Sequence, residues 1–162
     1  MPKQKPFVAV IGGRNSGKST VIRSLTGARS GQFRGMVHDR ATQETISVIG
    51  SSPQEQALTL QQLRSTLRTA MNNSRCRGIV CALQPSFPTK RLSLEQVLQE
   101  ARALRFRIRV FVLDPGYKGA RGHLEAVAAR VRNVGFGSKA LDGRRFAQVN
   151  AGTINRRTRI AA

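Results

Sequence analysis

The sequence predicts a three-layer α/β fold, a mainly parallel sheet with helices on both faces and one antiparallel edge strand. Two observations carry this expectation. Apolar runs at 7–11 and 78–83, and the stretch 110–113 within a strand at 108–113, lack polar alternation, as strands covered on both faces do. Between them lie segments with apolar residues at helical spacing, which imply right-handed crossovers and a parallel sheet.

Phe7-Val8-Ala9-Val10-Ile11 is the first strand. A helix follows from about Lys18, with Val21, Ile22 and Leu25 on one face, and closes at Gly27, a residue suited to a left-handed C-terminal cap. Residues 28–33 read as loop. Gly35 to His38 and Thr45 to Ile49 read as a hairpin. Ser52-Pro53-Gln54-Glu55 predicts a helix start, with Ser52 as cap, Pro53 in the first position and Glu55 completing a capping box. Ala57, Leu60, Leu63, Leu67 and Met71 mark that helix's face.

Gly78 to Leu83 is the next strand. Ser93-Leu94-Glu95-Gln96 is a second capping box, followed by Val97, Leu98, Ala101 and Leu104 on one face. Ile108 to Leu113 is a strand that ends in the turn Asp114-Pro115-Gly116. Leu124, Val127, Ala128 and Val131 predict a last helix, and Val134 to Phe136 a short strand. Beyond Gly137 the periodicity fades, so the chain divides into a domain at 1–137 and a basic tail at 138–162.

The protein has 162 residues and a formal net charge of +20, from 28 Lys and Arg against 8 Asp and Glu. Of the basic residues, 22 are Arg. A pI near 11.9 points to a polyanionic partner such as nucleic acid or the ribosome. With no Trp and one Tyr, base stacking is disfavoured, and phosphate contact with weak sequence preference is the better fit. No apolar run approaches the roughly 20 residues needed to cross a bilayer. No export signal is evident, so a cytoplasmic setting is expected, with Cys76 and Cys81 as reduced thiols. His38 and His123 have no metal-ligand partner at useful spacing.

The sharpest signal is Gly12-Gly13-Arg14-Asn15-Ser16-Gly17-Lys18-Ser19-Thr20, a full match to G-x-x-x-x-G-K-[ST] between an apolar strand and an apolar-faced helix. Gly12 and Gly17 let the backbone approach a phosphate closely. The amides from Asn15 through Ser16 to Thr20 can converge on anionic oxygens, helped by the partial positive charge of the helix start. Lys18 would reach the β and γ phosphates and is the candidate catalytic residue. The Ser19 hydroxyl would hold Mg²⁺.

This loop resembles that of the P-loop NTPases. Its form G-x-x-N-x-G-K-S-T, with Asn15, is similar to the bacterial Era-like branch of the Ras-like GTPases. The order of elements over about 6–140 also resembles a Ras-like domain. The resemblance implies a P-loop NTPase fold, binding of GTP or ATP with Mg²⁺, and a slow hydrolase acting as a nucleotide switch, its site completed by a protein partner. Two of the family's motifs are absent. Where D-x-x-G would end the third strand stands Ile49-Gly50-Ser51-Ser52-Pro53-Gln54-Glu55, and where N-K-x-D would follow the fifth stands Leu113-Asp114-Pro115-Gly116. Gly137-Ser138-Lys139-Ala140 has a faint likeness to the family's S-A-K loop.

Val110-Phe111-Val112-Leu113-Asp114 also fits apolar residues ending in an acid that holds Mg²⁺ through water, with a turn-forming Asp114 as the other reading. Asp39 and Glu55 are further acids near the expected nucleotide edge, Glu55 being accounted for by capping. Thr26, Ser30 and Thr42 fall where Ras-like proteins place a mobile Mg²⁺-binding threonine. Two further classes stay open: a nucleic-acid-binding or assembly protein with a non-hydrolysing loop, and a small P-loop kinase with lid arginines at 102–109 or 144–159.

Overall fold

The structure is a computed structural model that describes residues 3–13, 16–85, 91–116 and 120–161. Strands and helices alternate along the chain. They are β1 (Pro6–Ile11), α1 (Lys18–Thr26), β2 (Arg34–His38), β3 (Thr45–Ile49), α2 (Leu60–Asn72) and β4 (Cys76–Leu83), then α3 (Leu94–Ala103), β5 (Arg107–Asp114), α4 (Ala120–Asn133), β6 (Ser138–Asp142) and α5 (Ala147–Thr158). One six-stranded sheet runs in the order β2-β3-β4-β1-β5-β6. Among the described residues only the edge pair β2–β3 is antiparallel; the other pairings are parallel. The carboxyl ends of β1, β3, β4 and β5 therefore share one edge of the sheet.

Strand alternation divides the core into two layers. Phe7, Ala9 and Ile11 of β1 face α2, α3 and α4, where Leu63, Leu67, Leu98 and Val131 are fully buried. Val8 and Val10 face α1 and α5, packing with Ile22 and Ile154. β1 is buried along its whole length, which explains why no polar residue interrupts it.

The segment expected as a tail from residue 138 is instead part of the domain. β6 pairs with β5 from Val110↔Ser138 to Asp114↔Asp142, and Leu141 is buried. α5 packs on α1 through Ala151 and Ile154, and Ile160 closes the layer beyond it. Its pattern was hard to see because the buried face includes Asn150 and Thr158, while its apolar Val149 and the preceding Phe146 are exposed. Ser138, Lys139 and Ala140, likened to a loop of the family, lie in strand β6. Val134 and Phe136 are partly buried on the core in the turn between α4 and β6 and form no strand.

Helix α2 starts later than Ser52-Pro53-Gln54-Glu55 suggests. Ser52 Oγ does accept the Glu55 N–H at 3.1 Å, but the chain leaves that turn at Ala57, which has a φ of 53°. The operative cap is Thr59, whose Oγ1 accepts from Gln62 N at 3.1 Å while Gln62 Oε1 accepts from Thr59 N at 2.9 Å. The break turns residues 51–56 toward the end of β1, and that displacement builds the site. At the far end of α2, Lys5 Nζ donates to the carbonyls of Ala70, Met71 and Asn73. α3 begins as expected, with Ser93 and Gln96 forming the capping box.

Candidate functional site

β1 delivers the chain to Gly12 at the carboxyl edge of the sheet, where Gly12 N donates to Leu83 O of β4 at 3.1 Å. Gly12 is buried, and a Cβ there would sit 3.0 Å from Ser16 Cβ and 3.2 Å from Lys18 Cγ. No side chain larger than hydrogen fits unless the loop opens. Gly17 has a φ of 90°, a left-handed conformation that glycine adopts without strain. It is also the N-cap of α1, and no side chain caps that helix. The amide groups of the first turn, at Lys18, Ser19 and Thr20, are thus offered toward the cleft. Ser16 Oγ is buried without a hydrogen-bond partner.

Lys18 is 5% exposed, and its Nζ donates to Gly13 O at 2.9 Å, folding the side chain back across its own loop. Burial pulls its ammonium below the usual lysine range of 10.5, and the negative charge of Glu55 partly opposes that shift. A buried ammonium with so little protein compensation is a group prepared for an anion.

A cleft of about 1090 Å³ opens at this edge. Ser16 to Thr20 form one wall, Ser30, Gly31 and Gln32 a second, and Ser51, Glu55, Gln56 and Gln84 a third. Gly31 leans on α1, since a Cβ on it would lie 2.8 Å from Ser19 Cβ. Gln84, just after β4, is buried; its Nε2 donates to Glu55 Oε1, and its carbonyl accepts from Gln54 Nε2 at 3.1 Å. Glu55 is therefore an acid presented to the phosphate loop as well as a member of the Ser52 turn.

Of the expected site residues, the structure brings Ser16, Gly17, Lys18, Ser19 and Thr20 together in the cleft, with Gly12 beneath them. Asn15 and Arg14 lie outside the described residues. Asp114 does not line the cleft. Its Oδ1 accepts the Gly116 N–H at 2.7 Å and its carbonyl accepts the Gly143 N–H at 2.7 Å, so its contacts are those of a turn. The parallel register explains this: β1 and β4 end beneath the phosphate loop, whereas β5 ends beside the β6–α5 connection. Gly50 donates its N–H to Phe33 O at 2.8 Å, which occupies the amide that could have sensed a γ phosphate.

Among the three hydroxyls considered for a mobile metal contact, only Ser30 lines the cleft. Thr26 Oγ1 donates to Ile22 O within α1, and Thr42 Oγ1 accepts from Glu44 N in the hairpin turn. Asp39 is in that turn too, held below the usual carboxylate range chiefly by the Ala41 N–H. Sequence reasoning missed Gln84, and although it set Glu55 near the nucleotide edge, it accounted for that acid by capping. A signal was present in both cases, because Gln84 follows the end of β4, which pairs with β1, and Glu55 follows β3, which pairs with β4.

No protein-family model matches the chain, and no curated protein does. Among solved structures, the G-domain of FeoB from Methanococcus jannaschii is similar, with a TM-score of 0.46 and 14% identity over 96% of this chain and 99% of that one. No helix among the described residues is long and apolar enough to cross a membrane.

Proposed function

We propose that the chain binds a nucleoside triphosphate at the carboxyl edge of its sheet and hydrolyses it slowly. One observation carries the reading. A glycine-cradled loop, an uncapped helix start and a buried lysine face one cleft together with a single acid, Glu55. The arrangement suits a triphosphate because its charge would meet backbone N–H groups and the Lys18 ammonium. Ser16 Oγ, buried and unpartnered, supplies a further donor.

The donor chemistry also suits Mg²⁺, a hard cation that takes oxygen ligands and keeps substrate phosphates in its coordination sphere. Of the side-chain oxygens in the cleft, the Ser19 hydroxyl would hold the cation, which would supply charge neutralisation on the β and γ phosphates. Glu55, oriented by Gln84, is placed to order the attacking water. With Gly50 engaged elsewhere and no second acid among the described residues of the cleft, intrinsic turnover is slow, and a protein partner would complete the site. ATP and GTP remain equal candidates, since the motif that reads guanine is absent. The +20 charge supports coupling of the nucleotide state to a polyanion such as nucleic acid or the ribosome.

The engaged Gly50 amide favours a second reading, a loop that binds nucleotide without hydrolysing it. Calorimetric titration of the protein with ATP and with GTP, each with Mg²⁺, followed by a phosphate-release assay, separates the two. Saturable binding with release supports the first, and binding without release supports the second. If neither nucleotide binds, the site assignment fails.

A further inference from the structure

We propose that the opposite, amino-terminal edge of the sheet is a second anion-binding surface, a cleft that holds the phosphodiester backbone of a nucleic acid. It gives the polyanionic partner of the preceding reading a surface, and so rests on that part of it, but uses no residue of the nucleotide cleft. β1 is 6 residues long, so the two edges stand about 20 Å apart. One triphosphate cannot span both.

The cleft has a volume of about 640 Å³ and is lined by eight basic residues and one acid. The acid is already neutralised: Glu44 pairs with Arg77 at 3.0 Å. Lys5 is committed as well, to the end of α2. That leaves Lys3, Arg107, Arg109, Arg156, Arg157 and Arg159, with no carboxylate among the lining residues to balance them. Arg107 and Arg109 alternate onto the same face of β5, on the side of the sheet where α5, whose end carries the other arginines, packs. Arg107 Nε is buried and has no hydrogen-bond partner. A donor left in that state at a surface of like charges is an unmet demand for an anion. Arg156 and Arg157 by themselves would only complement the helix C-terminus. That explanation does not reach Lys3, Arg107 or Arg109, which come from the starts of other elements.

The form of the surface selects the ligand. No aromatic residue among the described residues lines the cleft, so bases have nothing there to stack on, and phosphate contact with weak sequence preference is expected. An acidic bilayer fits less well. The large exposed hydrophobics among the described residues are Phe146 and Val149, at the start of α5, whereas the cleft is at its end. No apolar anchor accompanies the charge.

The test is fluorescence anisotropy with a short duplex DNA and a single-stranded RNA of the same sequence, over a salt series. The variant Arg109→Glu/Arg156→Glu/Arg157→Glu changes three exposed positions of the cleft; Arg68→Glu/Arg121→Glu/Arg132→Glu imposes the same charge change on the α2 and α4 face. The cleft variant should lose about tenfold or more in affinity for at least one nucleic acid, and its salt slope should fall by about 2 to 3. The control should stay within about threefold of wild type. Thermal melts check that both fold, and Arg109→Ala/Arg156→Ala/Arg157→Ala repeats the test without charge reversal. Equal loss in cleft and control variants would overturn the assignment, as would binding of wild type to phosphatidylserine vesicles but to neither nucleic acid. Lys18→Ala should bind nucleic acid like wild type; a loss matching that of the cleft variant would also overturn it. Failure of ATP and GTP to bind wild type would sink the nucleotide reading alone.

Discussion

Replacing Lys18 by Met separates the cost of the phosphate loop from its use. In the fold the ammonium is 5% exposed and donates to one carbonyl, Gly13 O, at 2.9 Å. Losing a hydrogen bond from a charged donor costs about 1.5–3 kcal/mol. Against this stands the desolvation of the ammonium, which is several kcal/mol in real proteins and is only partly offset here, because Glu55 acts on it from a distance. Met keeps the apolar stem in place, and Gly13 is accessible enough for water to take over its carbonyl. The balance favours the variant by about 1–2 kcal/mol, which at this length raises Tm by about 3–6 °C. The pH dependence has the matching sign. A lysine whose folded-state pKa lies below 10.5 penalises folding while it is charged, and the penalty lifts as pH rises through the folded value toward 10.5. Lys18→Met should lack that gain. Nucleotide affinity should fall by about a hundredfold, the worth of two to three kcal/mol of charged phosphate contact. Scanning calorimetry of the ligand-free proteins and isothermal titration with Mg²⁺-nucleotide measure both effects. A variant destabilised by more than about 1 kcal/mol would refute the electrostatic argument. Undiminished nucleotide binding would refute the placement of the lysine on phosphate.

Glu55→Gln should leave nucleotide affinity within about threefold and lower single-turnover phosphate release by about tenfold or more, as removal of a positioned base does; unchanged release would take Glu55 out of the chemistry. Ile154→Ala, at a fully buried contact between α5 and α1, should destabilise the protein by about 2–5 kcal/mol in urea melts. A loss under 1 kcal/mol would mean that α5 is not part of the cooperative core. Arg130 donates to both Glu95 oxygens at 2.6 and 2.8 Å and holds that carboxyl below its usual 4.5. The stabilisation is fully present above that value and is lost as pH falls through the lower folded-state value. Glu95→Gln should therefore flatten the fall in Tm below about pH 4.5.

Much of this molecule was determined by local sequence. β1 is an uninterrupted apolar run because neighbours cover both its faces, as are Gly78–Leu83 within β4 and Val110–Leu113 within β5, and the Ser93–Gln96 capping box fixes the start of α3 wherever that helix lies. The loop from Gly12 to Thr20 is equally local: the glycines and the helix start that create its concavity are consecutive. Tertiary structure decided the rest. β6 and α5 became visible only once β5 offered an edge and α1 a surface, because the contacts that stabilise them are made by Leu141 and Ile154 with residues far away in the chain. The position of β4 between β3 and β1 is what sets Gln84 beside Glu55 and both before Lys18, and no spacing along the chain encodes a strand order. Charge behaves the same way. The count of arginines is a property of the sequence, but their convergence with Lys3 on one unbalanced cleft depends on parallel strands beginning at a common edge.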